Sequence, residues 1–205
     1  MNSLKLISDF HDFYDCWFDR NAETEFRRVT TDGFDRIQMF DFFSKKKEFF
    51  NPAEHGFVRD IWKKSRKLVV YTDLKAHRGE GKLLLPSDQA IEQRPNSFAS
   101  VYIESEAKSY RILQIGDMAF HIDYASDDKW RSNVGDVKVE VASIDHAYDP
   151  LRDYALVAVD YVMNRYGEAF AVDLNIAPGI GGTGVEDFIK GKEIVDLLVK
   201  HMGIK

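Results

Sequence analysis

Cysteine is almost missing from this sequence: Cys16 is the single one among 205 residues. An intramolecular disulfide and a cysteine-built zinc cluster within one chain are therefore excluded, and a cytoplasmic location is the expectation. Missing too is any apolar run long enough to cross a bilayer. The opening stretch MNSLKLISDFHDFYD interrupts each of its apolar runs with acidic residues, so neither a signal peptide nor a membrane partner is expected. An excess of positive charge is likewise absent. The 28 Lys and Arg are scattered among 34 Asp and Glu, for a formal net charge of −6, which leaves no electrostatic footprint for a nucleic-acid partner. No internal repeat or low-complexity linker divides the chain, so its parts read as lobes of one unit. What is there is ordinary for a folded protein. Hydrophobic residues make up 44% and charged residues 30%, enough for one core of moderate size or two small lobes.

Local patterning gives a mixed α+β reading. The first half carries Phe-rich clusters (Phe40, Phe42, Phe43, Phe49, Phe50) around the triplet Lys45, Lys46, Lys47; the aromatics read as core and the lysines as a solvated face. A helix is expected over Val58 to Ser65, followed by a strand at Lys67 to Tyr71, a β-branched and aromatic run. Next comes a glycine-bearing turn, His77 to Lys82, leading into Leu83, Leu84 and Leu85 and stopped by Pro86. That arrangement predicts a hairpin with a basic tip, then a loop through Arg94, Pro95 and Asn96. Strands are expected at Ser100 to Ile103, Tyr110 to Ile115 and Met118 to Tyr124, with Gly116-Asp117 as a turn. Residues Pro150 to Met163 read as a buried helix running into a strand, Ala169 to Leu174 as a strand, and Val185 to His201 as the spacing of a C-terminal helix.

The chemistry concentrates in one stretch. Asp160 and Asp173 lie 13 residues apart across a predicted turn at Tyr166-Gly167. A turn midway makes the flanking strands antiparallel neighbours, and because side chains alternate along a strand, Asp160, Asp173 and Asn175 are expected on one face. Magnesium takes hard oxygen donors in octahedral geometry and leaves positions for water or phosphate oxygens, so two Asp and one Asn suit a metal that bridges nucleotide phosphates.

The run Ala158-Val159-Asp160, then Val172-Asp173-Leu174-Asn175 ahead of Pro178-Gly179, resembles the metal-binding strand pair of the ATP-grasp superfamily, nearest to its ribosomal-protein glutamate ligase, glutathione synthetase and D-alanine–D-alanine ligase branch. Upstream, Val101-Tyr102-Ile103 resembles the hinge strand that faces adenine, and Tyr110 to Asp117 the strand after it, which contains Arg111. Trp130-Arg131-Ser132-Asn133 resembles a segment whose Arg and Asn lie near the triphosphate, and Pro178 to Glu186 resembles the loop on the acceptor side. The opening residues are similar to openings of phage and bacterial proteins, a hint of a phage-type chain and of a host cytoplasm.

The resemblance implies a fold of two α+β lobes with antiparallel sheets gripping ATP: an N-terminal region over 1–60, a small lobe over 61–103 and a large lobe over 104–205. It further implies an ATP- and Mg2+-dependent ligase, with Mn2+ as an alternative metal, acting on a carboxylate and an amine, thiol or other nucleophile through an acyl phosphate. Its rivals are phosphoryl transfer to a hydroxyl and a degenerate binding protein; a homodimer is compatible with either reading. Asp160, Asp173 and Asn175 would hold the metal, while Arg131 and Asn133 would act on the transferring phosphoryl group. Lys75, with Lys82 close by, would reach the phosphates, and Arg78, Gly79 and Gly81 would form the tip closing over them. Tyr102 and Ile103 would meet the base and Glu106 (or Glu104) the ribose, since Ser109 stands where the branch has an acid. Arg111 has two readings, a phosphate contact and a strand residue paired with a carboxylate. Asp173 stands where the family usually has Glu. Two other candidates fall away: His11, with Asp9, Asp12 and Asp15, has no second His at motif spacing, and Cys16 has no basic neighbour to activate it.

Overall fold

The computed structural model describes residues 35–75, 80–105, 108–128, 130–131, 136–146, 149–151, 154–175, 178–189 and 191–202. Helix α1 (Arg36–Lys45) opens this part with a capping box, in which the Asp35 carboxylate accepts from the Gln38 backbone N–H and the Gln38 side chain accepts from that of Asp35. Two otherwise unpaired donors are thereby satisfied at once. The helix buries Arg36, Met39, Phe40 and Phe43, the i, i+3, i+4, i+7 spacing of one face. Phe40, Phe43 and Phe50 are fully buried and Phe42 packs against them, as expected of core, whereas Phe49 is exposed.

Two antiparallel sheets follow, in an α+β arrangement. The smaller has four strands in the order β1-β4-β2-β3, formed by β1 (His55–Phe57), β2 (Lys67–Tyr71), β3 (Lys82–Pro86) and β4 (Phe98–Val101). Two short helices, α2 (Val58–Ile61) and α3 (Ser87–Gln93), close its core through Val58, Ile61 and Ala90 against Leu68, Val70 and Ala99. The larger sheet has five strands in the order β7-β6-β5-β8-β9, formed by β5 (Lys108–Ile115), β6 (Met118–Ser126), β7 (Val137–His146), β8 (Leu156–Met163) and β9 (Ala169–Asn175). Helix α4 (Gly191–Met202) covers it with Ile194 and Leu198. At the β5–β6 turn, Gly116 has φ +57, and a Cβ there would sit 2.8 Å from the Leu197 carbonyl oxygen; only glycine suits both the backbone and the approach of α4.

Three elements differ from the expectations above. The helix expected over Val58 to Ser65 is a single α turn continued as 3-10 at Trp62–Lys64. Between Pro86 and the loop at Arg94 to Asn96, which is present as expected, stands a helix that was not expected, α3, with Ser87 and Ala90 buried. The helix expected within Pro150 to Met163 is absent: a 3-10 turn at Asp149–Leu151 precedes β8. There, pairing on both sides with β5 and β9 rewards β-branched Val157, Val159 and Val162 over helical spacing. Buried Gln114 satisfies the irregular chain before β8, donating to the carbonyls of Leu151 (3.1 Å) and Tyr154 (2.8 Å). Among the described residues no helix is long and apolar enough to cross a membrane.

Candidate functional site

Strands β8 and β9 form a hairpin around the turn at Asn164, whose side-chain oxygen accepts from the N–H groups of Tyr166 and Glu168, with Gly167 at φ +82. The hairpin sets Asp160 directly opposite Asp173, with a bulge just beyond Asp160. Arg111 of β5 is the register partner of Asp160 on the other side. Residues in register share a face, so one row across three strands reads Arg111, Asp160, Asp173. Two carboxylates side by side repel, and arginines meet both. Arg111 grips Asp160 with both prongs, Nε to Oδ1 at 2.6 Å and Nη2 to Oδ2 at 2.9 Å. Arg36, entering from α1, donates to Oδ1 of Asp173.

These pairs set the local protonation. Burial alone would raise the Asp173 carboxyl, yet the charges of Arg36, Lys82 and Arg111 outweigh it and hold Asp173 below the usual carboxylate range. Burial opposes the charge of Arg36 and Arg111, but their Asp partners prevail and both guanidiniums are held more firmly than usual. Lys82 is different: burial lowers its ammonium pKa, with Asp173 only partly offsetting the effect.

The row opens onto a cleft between the two sheets. Val69, Tyr71, Lys82, Ser100 and Val101 line it from the small sheet. Tyr102, Ile103 and Ser105 follow from the connecting segment. Ser109, Arg111, Tyr124, Asp160, Val162, Val172 and Asp173 come from the large sheet, with Trp130 and Arg131 from the β6–β7 connection. Apolar walls beside a dense charged cluster suit a ligand with a flat apolar part and an anionic part. Arg131 is oriented by Asp128, which meets its Nη2 at 3.0 Å and accepts from the backbone N–H groups of Trp130 and Arg131. Those bonds push the Asp128 carboxyl down to about 2.

Asp160 and Asp173 are hard oxygen donors set in register, and Asn175 lies two residues along β9, opposite Ala158 and outside the cleft lining. Among the described residues no group of three or more His, Cys, Asp or Glu is placed to hold a metal. Two carboxylates facing three cations fit a divalent ion that arrives with anionic phosphates, and fit a bare ion poorly.

No protein-family model matches the sequence, and no curated protein does. Solved structures do match. The chain is similar to the ATP-grasp ligase PsnB complexed with a minimal precursor, with TM-score 0.59 and 10% identity over 82% of this chain and 60% of PsnB; another PsnB structure also holds Mg and ADP. It is similar to the D-cycloserine synthetase DcsG, with TM-score 0.57 and 11% identity over 82% of this chain and 70% of that one. D-alanyl-alanine synthetase A from Vibrio cholerae gives TM-score 0.56 and 9% identity over 90% and 72%. This is the ATP-grasp fold. The chain spans about 60% of the length of PsnB.

Within the ATP-grasp fold the expected residues distribute unevenly. Tyr102, Ile103, Arg111, Arg131, Asp160 and Asp173 come together around the cleft. Gly81, at φ +63, accepts from the Thr72 N–H and closes the β2–β3 hairpin. Lys75 is exposed and outside the cleft lining, its backbone N–H donating to Asp73 Oδ1 (2.9 Å), whereas Lys82 lines the cleft. Arg78, Gly79, Glu106 and Asn133 lie outside the described residues, as do His11 and Cys16. Sequence reading missed Arg36, whose Asp173 partner is 137 positions away; the capping-box residues Asp35 and Gln38 were the only local signal that it begins a helix.

Proposed function

We propose that the protein is an ATP- and Mg2+-dependent ligase that joins a carboxylate to an amine or thiol through an acyl phosphate. The observation that carries this reading is the register pairing of Asp160 with Asp173 at a cleft between two sheets, beside Lys82 and Arg131. In the proposed reaction a substrate carboxylate oxygen attacks the γ-phosphorus, the bond to the bridging oxygen breaks and ADP leaves; the nucleophile then attacks the acyl carbon and releases phosphate. Lys82 and Arg131 orient the phosphates and oppose their charge. Arg111 holds Asp160 in position, and Tyr102, Ile103, Val162 and Val172 shield the base from water. Magnesium, or Mn2+ in its place, supplies neutralisation of the phosphate oxygens when held by Asp160 and Asp173, with Asn175 further along the strand.

Mg-ATP at 100 times its Kd adds about 2.7 kcal/mol to stability, so a rise in Tm of roughly 5–10 °C is expected in a domain of this size. No rise at millimolar Mg-ATP removes the reading. ADP release is then measured against amino acids, small carboxylates and peptides, the last because PsnB is held with a minimal precursor, with hydroxylamine trapping the acyl phosphate as a hydroxamate. A second reading, nucleotide binding without turnover, is favoured by the arginine pairs that occupy both carboxylates. It is chosen if Tm rises and no carboxylate elicits ADP release. Labelled phosphate retained on an alcohol would replace ligation by phosphoryl transfer.

A further inference from the structure

Arg36 belongs to none of the motifs that point to nucleotide chemistry. It enters the site from a helix that precedes both sheets and is only 4% exposed. Its guanidinium donates to Asp173, lies 3.6 Å from the Met39 sulfur and stands 5.6 Å from the centre of the Tyr71 ring. Its backbone is equally fixed. The N–H donates to the Leu74 carbonyl (3.0 Å) in the connection between β2 and β3, and the capping box around it pins the start of α1. The chain after α1 grips the other side of the site: the Asn51 carbonyl accepts from the Ala171 N–H (2.8 Å), and the Asn51 side chain donates to the Ala169 carbonyl (3.1 Å). Arg36 does not line the cleft; it backs the carboxylate that does.

We propose that Arg36 is a positioning residue that serves as a resident cation for Asp173, so that a divalent metal is admitted only in the company of a nucleotide's phosphates. The inference rests on the nucleotide and metal reading above. A bare divalent ion approaching Asp173 must displace a guanidinium from a carboxylate and enter beside Lys82 and Arg111, where three cations already face two carboxylates. Like charge at these separations opposes it strongly. A metal carrying a triphosphate is net anionic, so the same three cations attract it. Binding of metal and nucleotide is thereby coupled, and the coupling is reciprocal.

The test is a titration with Mn2+ alone, free ion being read by electron paramagnetic resonance, on the wild type, Arg36→Gln and Arg36→Lys, each checked for folding by circular dichroism. Removing the resident cation is expected to tighten bare Mn2+ binding by about tenfold in Arg36→Gln. Arg36→Lys, which keeps the charge, is expected to tighten it by no more than about threefold. A residue that merely packs cannot improve metal binding when lost. Unchanged or weaker Mn2+ binding in a folded Arg36→Gln overturns the proposal. Should that variant not fold, the wild type decides: Mn2+ taken up alone as tightly as with a non-hydrolysable ATP analogue overturns it, and uptake at least tenfold weaker upholds it. The Mg-ATP shift of the wild type reports separately on nucleotide binding, so failure of that reading is distinguished from failure of the role given to Arg36.

Discussion

The two hairpins that face the cleft hold their charges in opposite ways. On β8–β9, Asp160 and Asp173 are fixed by strand register and by arginines from β5 and α1. On β2–β3, Lys82 sits in register with Tyr71, 5.9 Å from its ring centre, next to Gly81 in a left-handed turn; among the described residues no carboxylate lies within ion-pair distance of its ammonium. One hairpin is preorganised before any ligand arrives, and the other presents a charge that a ligand would complete. On the reading proposed above, carboxylates that are to hold an ion need partners that suppress their mutual repulsion, whereas a cation that is to meet an anion is best left without one.

The largest effect is expected on the preorganised side. Asp160→Asn should lower turnover by about 1000-fold, roughly 4 kcal/mol of transition-state stabilisation. It should also lower stability by about 2 kcal/mol, since Arg111 loses a charged partner, a figure kept below the fully buried range because about a quarter of the Asp160 side chain is open. Steady-state ADP release and thermal unfolding measure the two. Turnover within threefold of wild type would remove Asp160 from the reaction. Lys82→Met comes next and should behave in the reverse manner. Nucleotide affinity falls about 100-fold, roughly 2.7 kcal/mol, while Tm without ligand holds or rises, because a desolvated cation is removed from beside Arg36. A drop in ligand-free Tm of several degrees would make Lys82 a structural partner of Asp173 and erase the contrast between the hairpins.

The same contrast explains what could be read from the sequence. The β8–β9 pair was legible as a hairpin from strand alternation and the turn at Tyr166-Gly167, but its bulge was not: near the turn Met163 pairs with Ala169, a register that would set Asp160 opposite Val172, and the shift between Asp160 and Tyr161 is what brings Asp173 opposite Asp160. The choice between Lys75 and Lys82 was not legible: it depends on where the β2–β3 pairing ends, which neither flanking run reveals, and pairing stops at Tyr71 with Lys82. Strand β7 was overlooked although Val137, Val139 and Val141 alternate with Lys138 and Glu140, a signal of the expected period. The segment before β8 misled because apolar residues at Tyr154, Val157 and Tyr161 mimic helical spacing, while the constraint that forbids a helix there, ladders on both sides, is tertiary. Arg36 had no sequence signal linking it to Asp173, since contacts across so many positions are set by how α1 docks.

The smallest effect tests whether preorganisation extends to the rim of the cleft. Asp128 orients Arg131 from the β6–β7 connection, where the Arg131 side chain is 34% exposed and an ion pair open to water contributes little, so Asp128→Asn should weaken nucleotide binding only about threefold and leave Tm almost unchanged. The direction of any pH dependence follows from the carboxyl being pushed down from 3.8 to about 2. A group with a depressed folded-state value contributes fully above its unfolded value and loses that contribution as pH falls through the folded one, so the window lies between about pH 4 and pH 2. Affinity measured between pH 6 and 8 should therefore show the same threefold deficit throughout. A deficit that varies across that range would mean that Arg131 is oriented by some group titrating near neutrality, and the rim would then belong with the adjustable Lys82 side of the site instead of with the fixed carboxylates.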